Sequence, residues 1–355
     1  MWEFHKIKRT AGCIAAALGL LLLPAACSHG TFYAPEKYNS DRNDKNNTAV
    51  KIGYFGRTEE IPLFAALEKG FFKNGGIDAE LIKIQDKDLV RKFNSGELDA
   101  VTADYRFFKY LEDGLPVRLT AGLNAGCFRI IVRADSPISN INDLKGIRMG
   151  SEGTGDGTMV LAYMLLKGNG IDPAEEVQWE PLGENNCINA LEKGDIDAAC
   201  IWEPAEKNAG LIQEKYRTVY ANSKMTAGSK AGGGHNHGSG THFTRAFTGI
   251  SRDLIEKHPE KAVYITKAWL EGSLWASENV PDAVKLAIDK GYVKDRYEDS
   301  LDLLSAYMWT NGAGGAKPNI KFFIQEQKAM GILEKSLDEE EFYKKVFAGI
   351  MPEFY

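Results

Sequence analysis

The sequence predicts an α/β protein of two lobes facing each other across a cleft, with a helical C-terminal region. Three observations carry that expectation. First, two stretches about a hundred residues apart repeat each other: Ser95-Gly-Glu-Leu-Asp-Ala-Val-Thr-Ala-Asp104 and Lys193-Gly-Asp-Ile-Asp-Ala-Ala-Cys-Ile-Trp202. Each reads as a helix end closed by Gly96 or Gly194, an acidic turn with Asp99 or Asp197, and a short apolar strand. Second, strand-length apolar runs alternate with helical segments between about residues 50 and 222. Third, from Phe243 the chain reads as returning to the first lobe, and beyond Asp253 it is mostly helical. The first lobe would then be built from both ends of the chain. Two segments would cross between the lobes, a topology that permits hinge closure on a ligand.

The N-terminus stands apart from this fold. Lys6, Lys8 and Arg9 precede an apolar run from about Ala11 to Ala26, and small residues stand before Cys27. That order describes a secretory signal over residues 1–26, and the run is short for a membrane-spanning helix. Cys27 after Ala25 and Ala26 resembles the lipobox of bacterial lipoproteins, in which it would carry the lipid. Pro24 stands where Leu is usual, and an uncleaved hydrophobic anchor is the alternative. Residues 27–48, polar and rich in Asn and Asp, read as a flexible tether.

Residues 50–55 alternate like a first strand. Residues 61–72 read as a helix that Pro62 can start and Gly70 can end. A second strand at 77–84 and a short helix at 88–94 lead into the first repeat. Residues 117–123 and 128–133 are strands, the latter β-branched and central. This completes the first part of lobe 1, residues 49–135. Lobe 2, residues 136–242, opens with a one-turn helix closed by Gly146, then a strand and the Gly/Thr loop 151–158. A helix at 159–167, a strand at 177–182, a helix at 188–193 and a strand at 218–222 follow. The return to lobe 1, residues 243–355, carries amphipathic helices at 259–277, 280–290, 297–308, 320–330 and 339–347. Their aromatic residues are expected in the core.

At 355 residues and 44% hydrophobic content, the chain can bury two ordinary cores. Its formal charge of -6 excludes the basic footprint of a nucleic-acid binder. Beyond Cys27, the cysteines Cys127, Cys187 and Cys200 fit no zinc template. They read as small buried residues, with a Cys187–Cys200 bridge as the alternative. The Gly-rich stretch 231–242 holds His235, His237 and His242. Three imidazoles on a flexible loop can converge on Zn, Ni or Cu. A solvated linker is the competing reading.

With those segments in place, the chain resembles the periplasmic-type substrate-binding proteins of ABC importers. It is similar to the branch that handles nitrate, sulfonates, taurine and thiamine-precursor pyrimidines. The carrying segments are Ile52-Gly-Tyr-Phe55 with Pro62 to Ile77, Gly96-Glu-Leu-Asp-Ala100, Asp143-Leu-Lys-Gly146, Gly170-Ile-Asp-Pro173, Gly194 to Pro204, and Arg252 to Glu260. The resemblance implies a periplasmic-binding-protein type II fold, a cleft that captures a small solute, and delivery to permease and ATPase subunits. It also implies no catalysis; with no required cofactor, a monomer is expected, exported and lipid-anchored as the N-terminal segment and Cys27 suggest.

Carried over by position, ligand contacts would come from Tyr54, Arg57 and Glu59, then Asp104 and Tyr105, then Asn124 and Ala125. Gly153, Thr154, Asp156 and Thr158 would follow, and finally Trp202 and Glu203. Ordinary alternatives exist for three of these. Asp156 could cap the following helix, Trp202 could be buried in lobe 2, and Glu203 could cap the helix after it. One feature departs from the anion-binding members. Glu152 and Asp156 put negative charge at the helix N-terminus where an anion would sit. With Glu59, Glu60, Asp104 and Glu203 the cleft leans acidic, although Arg57, Arg106 and Arg129 could offset it. A cationic, zwitterionic or neutral polar solute is therefore expected over nitrate or a sulfonate. A metal- or metallophore-binding lipoprotein on the same scaffold is the second reading. A pyrimidine-synthesis-type enzyme is the third, opposed by the export signal and by the lack of a Gly-X-Ser-X-Gly or P-loop motif.

Overall fold

The apolar runs assemble into two five-stranded sheets with the same plan. The strands are β1 (Val50–Tyr54), β2 (Ala79–Lys83), β3 (Ala100–Ala103), β4 (Val117–Ala125) and β5 (Phe128–Arg133), followed by β6 (Arg148–Ser151), β7 (Gln178–Pro181), β8 (Ala198–Trp202), β9 (Tyr216–Ala221) and β10 (Thr244–Ser251). The first sheet runs β2-β1-β3-β10-β4 and the second β7-β6-β8-β5-β9. In each, one strand, β1 or β6, pairs in parallel with the strand on either side of it. An antiparallel strand, β10 or β5, then joins the repeat strand to the last one. The computed structural model describes residues 49–126, 128–182, 186–202, 215–221, 244–309 and 312–351, all within the compact unit Lys37–Tyr355. Cys27, Cys127, Glu203, His235, His237 and His242 lie outside the described residues.

The repeat owes its shape to the same hydrogen bonds in both lobes. Gly96 and Gly194 take φ of 70° and 77°, a conformation other side chains avoid. Asp99 Oδ2 accepts from the Lys51 N–H at 2.9 Å, and Asp197 Oδ2 accepts from the Arg148 N–H at 2.9 Å. Each aspartate therefore locks its strand to the neighbouring β1 or β6 at the sheet end remote from Asp104 and Trp202. The repeat is structural at its start and meets the cleft at its end.

One strand belongs elsewhere than expected. Residues 128–133, read above as the end of lobe 1, pair with β8 and β9 and so lie in the second sheet. The crossing between lobes falls at Gly126, with φ 89°. The helix expected over 61–72 divides into Ile61–Glu68 and Phe71–Asn74, because Gly70 takes φ 76° between them. The helix expected from 320 begins seven residues earlier, as Ala313–Ala329. Pro318 lies only in its second turn, where the missing N–H forfeits a single bond.

Lobe 1 holds the larger core. Helix Pro259–Glu278 packs on helix Ile61–Glu68 at Gly272, where an added methyl would meet the Pro62 carbonyl at 2.3 Å. Trp269, Phe64 and Ile61 beside this contact are fully buried. A chain of hydroxyls, Thr248–Thr120 at 2.7 Å and Thr120–Thr266 at 2.9 Å, ties β10 and β4 to the same long helix. In lobe 2, one sheet face packs Ile131, Leu191, Ile196 and Ile201 around Cys187. Cys187 and Cys200 are both free and buried, so the bridge considered between them is not formed. Burial pushes the Cys187 thiol up to about 12, which fits small core residues rather than reactive thiols. Among the described residues no helix is long and apolar enough to cross a membrane.

Candidate functional site

The C-terminal ends of β1 and β3, with the start of β10, form the lobe 1 side of a cleft. The parallel strands of an α/β sheet commonly present their ligands there. A void of ≈ 10 Å³ lies between Phe55, Arg57, Glu60, Thr102, Asp104 and Arg245, enough for about one water. All of these residues belong to lobe 1, and through Arg245 the void borders a contact between the lobes. The Arg245 guanidinium, on β10, stacks over the Trp202 ring of lobe 2 at 4.3 Å. A methyl on Gly157, at the start of helix Gly157–Gly168, would meet Trp202 at 2.6 Å and Tyr105 of lobe 1 at 2.8 Å. Lys167 of lobe 2 also pairs with Glu326 of the C-terminal region at 3.2 Å.

The loop after β1 is built around a buried acid. Gly56, with φ 92°, turns the chain so that three backbone N–H groups converge. Glu60 fills that nest: its Oε2 accepts from Phe55, Gly56 and Arg57 at 3.0, 2.7 and 2.9 Å, while Oε1 shares only the Phe55 N–H. Its residue is 1% exposed. Burial pushes the carboxyl up to about 7, although the N–H groups pull the other way and Glu59 adds to the rise.

The remaining charges neutralise one another. Arg57 lies 3.9, 3.2 and 3.7 Å from Glu59, Asp86 and Asp104. Arg106 grips Asp104 with two nitrogens and stands 3.8 Å from Asp86. Arg245 donates to Glu59 at 3.2 Å and to the Tyr307 hydroxyl at 2.8 Å. Burial alone would raise the Asp104 carboxyl, but Arg106 and Arg57 outweigh it and hold the group below its usual range. Arg57, Arg106 and Arg245, from three separate elements, thus offset Glu59, Asp86 and Asp104, while Glu60 lines the same void as a further acid and Glu203 lies outside the described residues.

The structure brings Arg57, Glu59, Asp104 and Trp202 together at the cleft and sets the other candidates around them. Tyr54 packs edge-on against Phe64 and Tyr292 at 5.4 and 5.9 Å, within the lobe 1 core. Tyr105 is 2% exposed, against Phe323 at 3.9 Å, and its hydroxyl donates to the Thr244 carbonyl. Ala125 pairs its backbone with Met308. Asp156 caps its helix, accepting from the N–H groups of Thr158 and Met159, and takes a 2.7 Å bond from the Thr158 hydroxyl. Gly153 accepts from Ser151, and Thr154 is exposed. Asn124 is fully buried, and neither polar atom of its amide has a hydrogen-bond partner.

Arg245, Tyr307 and Thr102 escaped the reading of the sequence. The available signal was Arg245 itself, an arginine inside the apolar strand Thr244–Ser251 where the chain re-enters lobe 1. Among the described residues no three His, Cys, Asp or Glu side chains gather as a metal set. The metal reading rests on His235, His237 and His242, outside those residues.

The sequence pattern of the NMT1-like family matches residues 43–288. The chain is 28% identical over 273 residues to the nitrate/nitrite binding protein NrtA of Nostoc sp. (strain PCC 7120), which covers 69% of this chain. The chain spans 58% of that relative's length. In three dimensions it is similar to the periplasmic aliphatic sulphonate binding protein SsuA from Escherichia coli, with TM-score 0.64 and 15% identity over 82% of this chain and 91% of that one. The periplasmic nitrate-binding protein NrtA from Synechocystis PCC 6803 aligns with TM-score 0.62 and 19% identity, over 85% and 86% of the two chains. Both neighbours show the periplasmic binding protein fold.

Proposed function

The chain belongs to the NMT1-like family, and from that premise we propose that it is the extracytoplasmic solute receptor of an ABC importer. It captures a small organic solute between its lobes and hands it to a membrane permease driven by an ATPase subunit. It works as a lipid-anchored monomer held by Cys27 on the outer side of the cell membrane, and it binds rather than transforms its solute.

One observation carries the reading. Arg245 and Tyr105 of lobe 1 meet Trp202 and Gly157 of lobe 2, and Arg245 also lines a lobe 1 void of ≈ 10 Å³. A solute enters only if the lobes part, and parted lobes expose groups suited to holding it. The similarity to nitrate and sulphonate binding proteins supports the same role. Thermal unfolding and small-angle scattering of the exported protein against a panel of solutes test it. A bound solute should raise stability by about 2.7 kcal/mol at a hundredfold excess over its dissociation constant and compact the molecule. No rise and no compaction for any solute would refute the receptor role. Cys27→Ser should move the protein out of the membrane fraction; retention with an intact N-terminus would point to an uncleaved anchor.

The metal reading remains a separate proposal for His235, His237 and His242. Zinc titration of the untagged protein and of a triple His→Ala variant decides it, and equal weak uptake by both returns the loop to a linker.

A further inference from the structure

We propose that helix Ala313–Ala329 and the turn after it form a clasp, anchored on lobe 1 and gripping lobe 2, that holds a share of the solute-free molecules closed. Glu326 and Ile332 are the gripping residues. They are positioning residues for solute entry: neither lines the void beside the cleft, and both lie beyond the stretch 43–288 that the family pattern matches. That closure gates a solute rests on the receptor reading.

The segment is fixed to lobe 1 along its length. Gly312, just before the helix, exchanges two backbone hydrogen bonds with Gly122 of β4, each of 3.0 Å. The Asn319 amide donates to the Thr244 hydroxyl at 3.3 Å, and the Gln327 amide donates to the Tyr105 carbonyl at 3.0 Å. Phe323 packs on the Tyr105 ring at 3.9 Å. Tyr105 is the lobe 1 residue that Gly157 of lobe 2 approaches. The helix therefore backs one contact between the lobes and makes two more itself.

Those two fall at opposite ends of helix Gly157–Gly168 in lobe 2, whose 12 residues span about 18 Å. Two residues before its start, Gly155 comes so close to the turn that an added methyl would meet the Ile332 side chain at 2.6 Å. Near its end, Lys167 pairs with Glu326 at 3.2 Å. Only 13% of the Glu326 side chain is exposed, so water screens the pair less than at an open surface.

Contacts made only when the lobes meet act on the balance between closed and open molecules. While closed, Trp202 lies on Arg245 and Gly157 lies against Tyr105, so a solute is taken up by the open fraction alone. By setting that fraction, the clasp governs the rate of capture without touching the solute.

The test uses the exported, untagged protein without solute. Wild type is compared with Lys167→Glu, Glu326→Lys, Ile332→Ala and the exchanged pair that carries both charge reversals. Small-angle scattering reads how far the lobes spread, and urea unfolding reads the fold. Each charge reversal should lower the closed-to-open ratio by on the order of tenfold, and Ile332→Ala by on the order of fivefold. All three should enlarge the radius of gyration with the unfolding midpoint little changed. The exchanged pair should return the radius to the wild-type value, which a merely structural role for Glu326 would not do. If Glu326→Lys fails to fold, Lys167→Glu carries the test with Ile332→Ala, because the Lys167 side chain is half exposed on lobe 2. An unchanged radius in the single variants overturns the clasp. Expansion that the exchanged pair does not reverse also overturns it, since it marks local unfolding rather than a lost grip. No solute enters these measurements, so the clasp can fail while the receptor reading stands, and the solute panel can fail while the clasp holds.

Discussion

Replacing Glu60 by glutamine should abolish a pH-dependent loss of stability that the wild type carries between about pH 4.5 and 7. The wild-type carboxyl is buried in its nest of N–H groups and titrates near 7 instead of its ordinary 4.5. The folded value lies above the unfolded one, so between the two the native state holds a proton that the unfolded chain releases. The stabilisation is fully present below about 4.5 and is lost as pH rises through about 7. That gap corresponds to about 3 kcal/mol. The geometry gives the proton a place. Oε2 collects three N–H groups while Oε1 shares one, so Oε1 is the oxygen to protonate. Glutamine can set its oxygen at the Oε2 position and keep most of the nest, but it binds no proton in this range. Urea unfolding at pH 4.5 and 8 for both proteins isolates the effect, because other acids, Asp99 and Asp156 among them, cancel in the comparison. With a urea dependence near 3 kcal/mol per molar, the wild-type midpoint should fall by about 1 M more than the variant's. Equal falls in the two proteins would show that Glu60 is ionised throughout, and that its nest outweighs its burial.

Gly272→Ala should destabilise lobe 1 by about 1–3 kcal/mol or more, since the new methyl would meet backbone atoms of Pro62 and Ala66 at 2.3 and 2.7 Å and no rotamer relieves it. A more stable variant in urea unfolding would contradict the close approach of the two helices. Asp197→Ala removes the acceptor of the Arg148 N–H and its guanidinium partner, and Asp99→Ala removes the acceptor of the Lys51 N–H; each should lose about 1–3 kcal/mol, and unchanged midpoints would deny both aspartates their locking role. Gly157→Ala pushes a methyl against Trp202 and Tyr105 and should weaken solute binding at least about tenfold while leaving the unfolding of solute-free protein nearly unchanged. Full affinity in that variant would mean that solute binding does not bring these faces together.

What could be read from the sequence was whatever a few neighbouring residues decide. Gly96 and Gly194 had to be left-handed after a helix, and they are. Asp156 had the form of a helix cap and is one. Strand partners are chosen by residues far along the chain, which explains the misplaced β5: its neighbours β8 and β9 begin about seventy and ninety residues later. The charge of the cleft was legible only in part for the same reason. Asp104 pairs with Arg106 two residues on, a partner visible in the sequence, but the pairing of Glu59 with Arg245 depends on how β10 meets the loop after β1. Orphan atoms such as those of Asn124 exist only once packing has removed the water.

The strand order of the first sheet also dictates the order in which the molecule can be finished. Between β3 and β4 lies a gap that only β10 fills, and β10 begins at Thr244. The second sheet draws all five strands from residues 128–221 and leaves no such vacancy. For a chain that emerges N-terminus first, the later half therefore matures earlier. The earlier half waits with two unpaired strand edges, the condition in which sheets most readily join to the wrong neighbour. Slow or interrupted emergence between about residues 125 and 250 is when this protein is most exposed to aggregation, and a chaperone that shields β3 and β4 would act in that interval.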